Sequence, residues 1–235
     1  MARQEPRPSL NLCALYREVR KYKPPSHVID RYQHCISIRL WKTFCEDEGT
    51  RQVSLLLEHE KVNSVLFLEL LDNRITPLGC EFISRALHPK MNPTIEILKL
   101  DHNEFGYQGV INLAHGLAIN PTLRMLSLTY CGIDQRGARA LFEILIYSRS
   151  KLEDVNLAGN MLRDEGVITV LNGVSIAKSL KKISLADNQF SESEAVLNAM
   201  DCCMVKNKNL GKYDFKYNNI ADTGRCNFFF AVMSV

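Results

Sequence analysis

Apolar residues return at fixed positions along most of the chain, in six segments spaced 28 to 30 residues apart. Each segment has apolar residues eight, five and three positions before an anchor residue, and two positions after it. The anchor, called position 0 below, is Asn73, Asn103, Cys131, Asn160, Asn188 or Asn218. Positions −5 and −3 are two residues apart, so on a β-strand both side chains point to the same side. The pattern predicts one short strand per segment, with positions −5 and −3 facing the interior and positions −6, −4 and −2 facing outward.

The residues between the predicted strands show helical spacing. Apolar residues at positions +10 and +14 are one helical turn apart and would face the sheet. They form the pairs Leu113 and Leu117, Leu141 and Leu145, and Val170 and Val174. Helix starts are predicted at Thr76, at Asp134, and at Ser191 in a capping box with Glu194. A strand and a helix are therefore expected in each unit.

Units of about 29 residues with L-x-x-L-x-L-x-x-N/C-x-L spacing are typical of a leucine-rich repeat solenoid. Glycine recurs at position +6, as Gly79, Gly109, Gly137, Gly166 and Gly224. With a helix in every unit, this glycine makes the chain resemble the ribonuclease-inhibitor-like class of leucine-rich repeats. The resemblance covers residues 62–235 and implies a right-handed α/β solenoid, a horseshoe arc with parallel strands on the concave face and helices on the convex face. Glu194 stands where this glycine is expected, and we expect its helix to begin differently.

The pattern divides the chain into three regions. Residues 62–235 hold six leucine-rich repeats, and residues 35–61 are interpreted as a degenerate first repeat with Thr43 at the anchor position. Ile38 and Leu40 would occupy the strand positions of that repeat. The alternative is that residues 35–60 form two capping helices. Residues 1–34 are predicted to be an N-terminal helical cap, with helices over 9–22 and 26–34.

Composition indicates an ordinary globular protein, with 46% hydrophobic and 23% charged residues. The first residues contain no apolar signal segment and no apolar run reaches about 18 residues, so we expect no membrane span and a cytoplasmic location. The eight cysteines form no C-x-x-C pair, and Cys35, Cys45 and Cys131 fall at core positions, so neither a zinc site nor a disulfide framework is predicted. The net charge of +3 is too small to argue for nucleic acid.

The sequence contains no catalytic or cofactor-binding motif. It has no Walker loop, no H-E-x-x-H, no G-x-S-x-G and no EF-hand loop, and its six histidines show no metal-ligand spacing. We therefore predict a chain that is not an enzyme and holds no cofactor or metal. Lysines concentrate towards the end of the sequence, at Lys181, Lys182, Lys206, Lys208, Lys212 and Lys216. Two interpretations stay open for them: solvated faces, or a docking surface for an acidic partner.

The outward-facing strand positions give the most specific functional hypothesis. Position −6 is apolar in three successive repeats and charged in the next three, as Phe67, Ile97, Met125, Asp154, Lys182 and Lys212. Position −4 is polar in all six, as Glu69, Lys99, Ser127, Asn156, Ser184 and Asp214. An exposed apolar row commonly marks a binding site, so the concave face is the predicted protein-binding site, with Tyr130 and His102 at position −1 beside it. Two alternatives stay open: the N-terminal segment covers the row, or the assignment of inside and outside slips there.

Apolar residues near the C-terminus have no following repeat to cover them. Phe228 and Val232 match the helix core positions, whereas Phe229 and Phe230 do not. Three explanations stay open: the chain is a truncated or alternatively ended form, the uncovered edge self-associates, or a partner covers it.

These features lead to the hypothesis of a non-catalytic protein-interaction scaffold. It would bind a protein partner through the concave face and through the C-terminal edge, as a subunit of a cytoskeletal or ciliary assembly. The resemblance also brings in ribonuclease inhibitor, the Ran GTPase-activating protein and the sensor arms of NOD-like receptors, which share this repeat class. Two rival functions therefore stay open: a GTPase-activating protein for a small GTPase, similar to the Ran activator, and a protein inhibitor of an enzyme.

Overall fold

Strands and helices alternate along the part of the chain that the structure describes. The structure is a computed structural model and describes residues 30, 34–91 and 94–220. The strands in these residues are β1 Ser37–Trp41, β2 Phe67–Leu71, β3 Ile97–Lys99, β4 Met125–Ser127, β5 Asp154–Asn156, β6 Lys182–Ser184 and β7 Lys212–Asp214. The helices are α1 Glu46–Leu57, α2 Pro77–Ala86, α3 Gly106–Leu117, α4 Ala138–Ile146, α5 Arg163–Ile176 and α6 Glu194–Lys206. The predicted N-terminal helices and the C-terminal apolar segment lie outside the described residues.

The strands form one parallel sheet in chain order, β1-β2-β3-β4-β5-β6-β7. The register places position −5 of each strand opposite position −5 of the next, so that Leu98 pairs with Leu68 on one side and with Leu126 on the other. Crossovers between parallel strands share one hand, and here that places every helix on the same face of the sheet. The predicted α/β solenoid is therefore confirmed.

One continuous core fills the space between the sheet and the helices. Residues at positions −5 and −3 are buried in β2 to β6, as the two-residue period requires. The helix pairs predicted to face the sheet are buried as well: Leu113 and Leu117, Leu141 and Leu145, and Val170 and Val174. The assignment of inside and outside therefore holds through these repeats without a slip.

The anchor side chain joins each repeat to the one before it. Asn160 Oδ1 accepts hydrogen bonds from the backbone N–H groups of Cys131 (3.1 Å) and Ile133 (3.0 Å) in the preceding repeat. Its Nδ2 donates to the carbonyl oxygens of Leu128 (2.9 Å) and Leu157 (2.8 Å). The amide is buried, so it satisfies backbone groups of two repeats that water does not reach.

The bond pattern adapts where the anchor is not asparagine. Asn103 makes the full set of bonds, with Oδ1 accepting from the N–H groups of Asn73 (2.9 Å) and Ile75 (3.1 Å). The Cys131 thiol keeps one of them, donating to the carbonyl oxygen of the preceding strand over 3.4 Å. Thr43 donates both its N–H (3.0 Å) and its hydroxyl (2.8 Å) to Asn73 Oδ1. Asn73 Nδ2 donates in turn to the carbonyl oxygen of Leu40 (3.0 Å), so the degenerate repeat and its neighbour are linked by bonds from both sides.

A strand and a helix occupy the segment that the sequence leaves ambiguous. Ile38 and Leu40 of β1 are buried and pair with β2 in the repeat frame, and α1 follows. This observation contradicts the alternative of two capping helices over residues 35–60. The region boundaries at 34/35 and 61/62 stay predictions.

Two of the predicted helix starts are confirmed by side-chain caps. Thr76 Oγ1 accepts the N–H of Leu78 (3.3 Å) at the start of α2. Asp134 Oδ1 accepts the N–H of Arg136 (2.9 Å) at the 3₁₀ turn Gln135–Gly137 that precedes α4. Helix α6 begins only at Glu194, two or three positions later in its repeat than α1, α2, α3 and α5, and we expected a different start from the missing glycine.

The predicted capping box of Ser191 and Glu194 is wrong. Ser193 precedes α6, and no side-chain cap bond forms there. Both the N–H and the hydroxyl of Ser191 donate instead to the Asp164 carboxylate of the preceding repeat, each over 2.6 Å. The hydroxyl of Ser193 donates to the same carboxylate over 2.8 Å. In a capping box the N–H of Ser191 would donate to the Glu194 side chain. Here the charged Asp164 carboxylate of the neighbouring repeat accepts that N–H instead.

Replacing Asn160 with leucine should remove one of these links between repeats. The substitution leaves buried backbone groups unpaired, each at a cost of about 1–3 kcal/mol, so we expect the free energy of unfolding to fall by at least about 2 kcal/mol. Asn172→Leu in α5 makes the same chemical change at an exposed position and should stay within about 0.5 kcal/mol of wild type. Urea denaturation of the three proteins measures this, and equal losses in both variants would contradict the assigned role.

Acidification should weaken the Asp164 link. Burial opposes the charged form, but hydrogen bonds from Ser191 and Ser193 outweigh it and lower the pKa of Asp164. The stability that a lowered carboxyl pKa confers is complete above the unfolded value, about 3.9, and is lost as the pH falls through the folded value. Asp164→Asn should therefore destabilise the protein at about pH 7, and its difference from wild type should shrink below about pH 4. Unfolding measurements across this range would speak against the link if the difference stayed constant.

Candidate functional site

The apolar row at position −6 crosses three neighbouring strands. Phe67, Ile97 and Met125 are successive register partners on β2, β3 and β4. Parallel strands lie about 4.8 Å apart, so these side chains stand side by side on the concave face, which is the sheet face turned away from the helices. Each of the three is half-buried, neither fully exposed nor enclosed. Whether the N-terminal segment covers the row concerns residues outside the described ones.

Charged residues continue position −6 beyond the apolar row. Lys182 Nζ on β6 lies 3.0 Å from Asp154 Oδ2 on β5, which neutralises both charges. Lys212 at the start of β7 is exposed and forms no ion pair with any residue that the structure describes. The concave face therefore changes from apolar to charged between β4 and β5, and an unpaired cation stands at its far end.

Polar side chains at position −4 find partners close to the sheet. Glu69 on β2 bridges two cations, with Arg39 Nε 3.4 Å from one carboxylate oxygen and Lys99 Nζ 3.0 Å from the other. Asn156 Oδ1 accepts the backbone N–H of Ala158 over 3.1 Å. These groups are satisfied within the sheet, and exposed ion pairs of this kind contribute little free energy. The apolar row forms no such ion pair, although the Arg39 guanidinium lies 5.7 Å from the centroid of the Phe67 ring.

Tyr130 lies at the edge where the strands end, beside the concave face. Its backbone is left-handed (φ 52°), as is that of His102 (φ 58°), and this turns both side chains out of the loop. The two rings are stacked with centroids 5.0 Å apart. The Tyr130 ring also covers Gly159, where a Cβ atom would fall within it, and its hydroxyl lies 3.5 Å from Asp187 Oδ2. The ring is thus held in a defined position while half of it stays exposed.

Two exposed aromatic residues were not assigned to the site from the sequence. Trp41 is 72% exposed at position −2 of β1, where it pairs in register with Leu71. Phe44 is 53% exposed in the following loop, and the Arg74 guanidinium lies 4.6 Å from its ring centroid. The sequence could have identified Trp41 as a site residue, because the repeat frame places it at an outward-facing strand position. The degenerate repeat thus adds a second apolar area to the concave face.

The described residues offer little basis for metal or thiol chemistry. They contain no group of three or more His, Cys, Asp or Glu side chains that could hold a metal ion. Burial raises the pKa of the Cys45 and Cys131 thiols, which keeps both thiols protonated and unreactive. Among the helices that the structure describes, none is long and apolar enough to cross a membrane.

Known proteins share the repeat pattern. Residues 92–114 and 120–142 match the family described as Leucine Rich repeat. NACHT, LRR and PYD domains-containing protein 9 of Bos taurus is 34% identical over 146 residues, which are 61% of this chain and 14% of that protein. Ribonuclease inhibitor of Sus scrofa is 28% identical over 120 residues, which are 50% of this chain and 26% of that protein. The chain spans 6% to 29% of the lengths of the curated relatives reported for it.

Solved structures share the fold. The C-terminal domain of Caenorhabditis elegans tropomodulin superposes with a TM-score of 0.56 at 17% identity, covering 66% of this chain and 91% of that chain. Leiomodin-1 Actin-Binding Site 2 gives 0.53 at 12% identity, covering 67% and 87%. Identities this low concern the fold alone. The fold is that of an α/β repeat solenoid. Solenoids of this kind serve as protein-interaction scaffolds through their extended concave surface. These matches support the resemblance of the chain to the ribonuclease-inhibitor-like leucine-rich repeat proteins.

Adding a methyl group at Gly159 should displace Tyr130. Gly159 and Gly132 both have left-handed backbones (φ 70° and 68°), so alanine at either position should cost about 1–2 kcal/mol of strain. A Cβ atom at 132 meets nothing within 4 Å, whereas one at 159 would overlap the Tyr130 ring. We expect similar stability losses, because the exposed ring can move away, but a larger change of the His102 ring-proton shifts in Gly159→Ala. Equal His102 shifts in the two variants, measured by NMR, would show that the ring is not held there.

Proposed function

We propose that this chain is a protein-interaction scaffold whose concave face binds a protein partner through the row formed by Phe67, Ile97 and Met125. The observation that supports the proposal is the in-register position of three half-exposed apolar side chains on adjacent strands. The polar groups around them are already paired across strands, as in Glu69 with Arg39 and Lys99. Apolar area without an internal partner is what a binding interface removes from water.

The proposal also predicts the kind of surface that the partner presents. Apolar or aromatic side chains would cover the row, since each Å² of apolar area removed from water contributes about 25 cal/mol. An acidic group would stand opposite the unpaired Lys212 at the far end of the sheet. The Asp154–Lys182 pair lies between these two areas and would set orientation more than affinity. No step of this function requires the chain to be an enzyme.

A cytoskeletal or ciliary partner is the finer form of the proposal. One structure of similar fold is described as an actin-binding site, and that description belongs to leiomodin-1. Cosedimentation with actin filaments is therefore an inexpensive first assay. If wild type pellets with filaments and a concave-face variant does not, actin is the partner; if neither pellets, the cytoskeletal form of the proposal loses its only named candidate.

The two rival functions make different demands. A GTPase activator must accelerate GTP hydrolysis on a bound small GTPase, and an enzyme inhibitor must abolish the activity of its target on binding. Two matched relatives are named ribonuclease inhibitor, of which this chain spans 26% and 29%. Assays of GTP hydrolysis with a panel of small GTPases and of ribonuclease activity separate these rivals from a scaffold that changes neither rate.

The concave-face proposal is tested with the double variant Phe67→Glu/Met125→Glu. Two charges in the apolar row should abolish partner binding, because each would be desolvated without a counter-charge. The control Leu78→Glu/Met91→Glu adds the same charge at exposed apolar residues outside the concave face. Affinity capture from cell extract, read by mass spectrometry, should lose partners with the first variant only.

Folding must be checked before that result is interpreted, since Phe67 and Met125 are half-buried. Circular dichroism and thermal melting of both variants provide the check. If the charged variant unfolds, Phe67→Gln/Met125→Gln keeps similar side-chain sizes without net charge. Partners retained equally by a folded concave-face variant and by the control would place the binding site elsewhere.

A further inference from the structure

The turns from helix to strand all lie at one edge of the solenoid. The strands are parallel and in chain order, so every helix must return the chain to the same end of the sheet. The last four turns in the described residues are 118–124, 147–153, 177–181 and 207–211. Their side chains therefore form one continuous strip along four repeats.

This strip is strongly basic. Its four turns contain six basic residues and one acidic residue; the basic residues are Arg124, Arg149, Lys151, Lys178, Lys181 and Lys208. The acidic residue, Glu153, already bridges Arg124 (2.7 Å) and Lys181 (2.8 Å). The other four cations form no ion pair with any residue that the structure describes.

The opposite edge of the same repeats lacks this basic excess. The segments that follow the strands, 128–137, 157–162, 185–193 and 215–220, contain two basic residues, Arg136 and Lys216, and three acidic ones, Asp134, Asp187 and Glu192. Charge is therefore segregated between the two edges, although the chain as a whole has a net charge of only +3. Segregation on this scale produces a local positive potential along one strip.

Stabilisation of the helices does not account for the strip. Cations near helix C-termini interact favourably with the helix dipole, which explains some basic residues at every such turn. The first two helix-to-strand turns, 58–66 and 87–96, follow helices of the same kind yet contain two basic and three acidic residues. The basic excess is a property of the last four turns alone.

Aliphatic side chains are interleaved with these cations. One exposed aliphatic residue stands in or just before each of the four turns: Ile119 (38% exposed), Ile146 (37%), Ile176 (56%) and Val205 (63%). The four residues lie close to the same place in successive repeats, so stacking brings them near one another along the strip. Interleaved aliphatic and cationic groups match a partner that carries both apolar and acidic side chains.

We propose that this basic edge, defined by the six cations and four aliphatic residues just named, binds an extended acidic polypeptide segment with interspersed apolar side chains. Strands lie about 4.8 Å apart and packed helices about 8–10 Å apart, so the turns that join them have an intermediate spacing. Side chains of an extended peptide alternate between two sides and recur about every 7 Å on each side. A peptide lying flat along the strip can therefore make one acidic contact per turn from one side and apolar contacts from the other. A nucleic acid backbone would use the cations but offers nothing to the aliphatic residues. The basic edge is separate from the apolar row of the concave face.

The test uses a fluorescein-labelled peptide of about 16 residues that repeats Glu-Leu-Glu-Ser, with Glu-Ser repeats of equal charge as the comparison probe. Fluorescence anisotropy measures binding to the whole chain. Lys178→Glu/Lys208→Glu should weaken binding of the leucine-containing peptide at least about 10-fold. The control Arg163→Glu/Lys216→Glu makes the same charge change at exposed residues towards the opposite edge and should weaken it less than about 3-fold.

The aliphatic residues are tested separately. Ile176→Ser/Val205→Ser should weaken binding of the leucine-containing peptide and leave the Glu-Ser peptide unchanged. Equal losses in the edge variant and in its control would overturn the proposal, as would the absence of measurable binding at about 1 mM protein. Tighter binding to anionic lipid vesicles or to duplex DNA than to the peptide, abolished by Lys178→Glu/Lys208→Glu, would overturn the choice of a polypeptide partner.

Discussion

The buried anchor amide is the interaction on which the rest of this structure depends. Asn160 accepts two N–H groups from the preceding repeat and donates to carbonyl oxygens of both repeats, and Asn103 does the same two repeats earlier. A turn buried in this way leaves backbone groups that only such a side chain can satisfy. Because the partners of each amide belong to the neighbouring repeat, no repeat is complete alone, and the spacing of the strands follows from the reach of this side chain.

The same constraint shapes the surfaces available for binding. A tight turn after every strand requires left-handed backbone at position −1, which directs His102 and Tyr130 outward at the strand-end edge. Parallel stacking then brings equivalent side chains of successive repeats together, so that Glu69 meets both Arg39 and Lys99. Rows that contain charges of both signs form ion pairs between neighbouring strands in this way. Apolar rows and rows of like charge cannot form such pairs. Among the residues that the structure describes, the apolar row of the concave face and four cations of the basic edge have no ion-pair partner, and these are the surfaces proposed for binding.

Predictions from sequence were correct where the interacting residues lie close together in the chain, and they failed where the residues lie far apart. The strands, the buried helix pairs and the caps at Thr76 and Asp134 depend on residues a few positions apart, and they were predicted correctly. The capping box at Ser191 failed because an acceptor 27 residues away, Asp164, binds that serine instead. Similarly, no local pattern indicated that the Tyr130 ring would rest over a glycine of the next repeat. The residues proposed for the concave-face site stay a prediction of function, although their positions on the sheet are now described.

The sequence alone determined the repeat period, the alternation of strand and helix, and which side of each strand is buried, because these follow from a two-residue and a 3.6-residue periodicity and from the anchor asparagines. Tertiary structure decided everything that depends on neighbouring repeats. It made the −6 row half-buried by placing three apolar side chains about one strand spacing apart, and it left Trp41 exposed on the first strand. It also collected basic residues from four separate turns at one edge, since parallel strands bring every helix-to-strand turn to the same end of the sheet. Clusters of this kind cannot be recognised from the sequence, because their residues are about 30 positions apart and become neighbours only when the repeats stack.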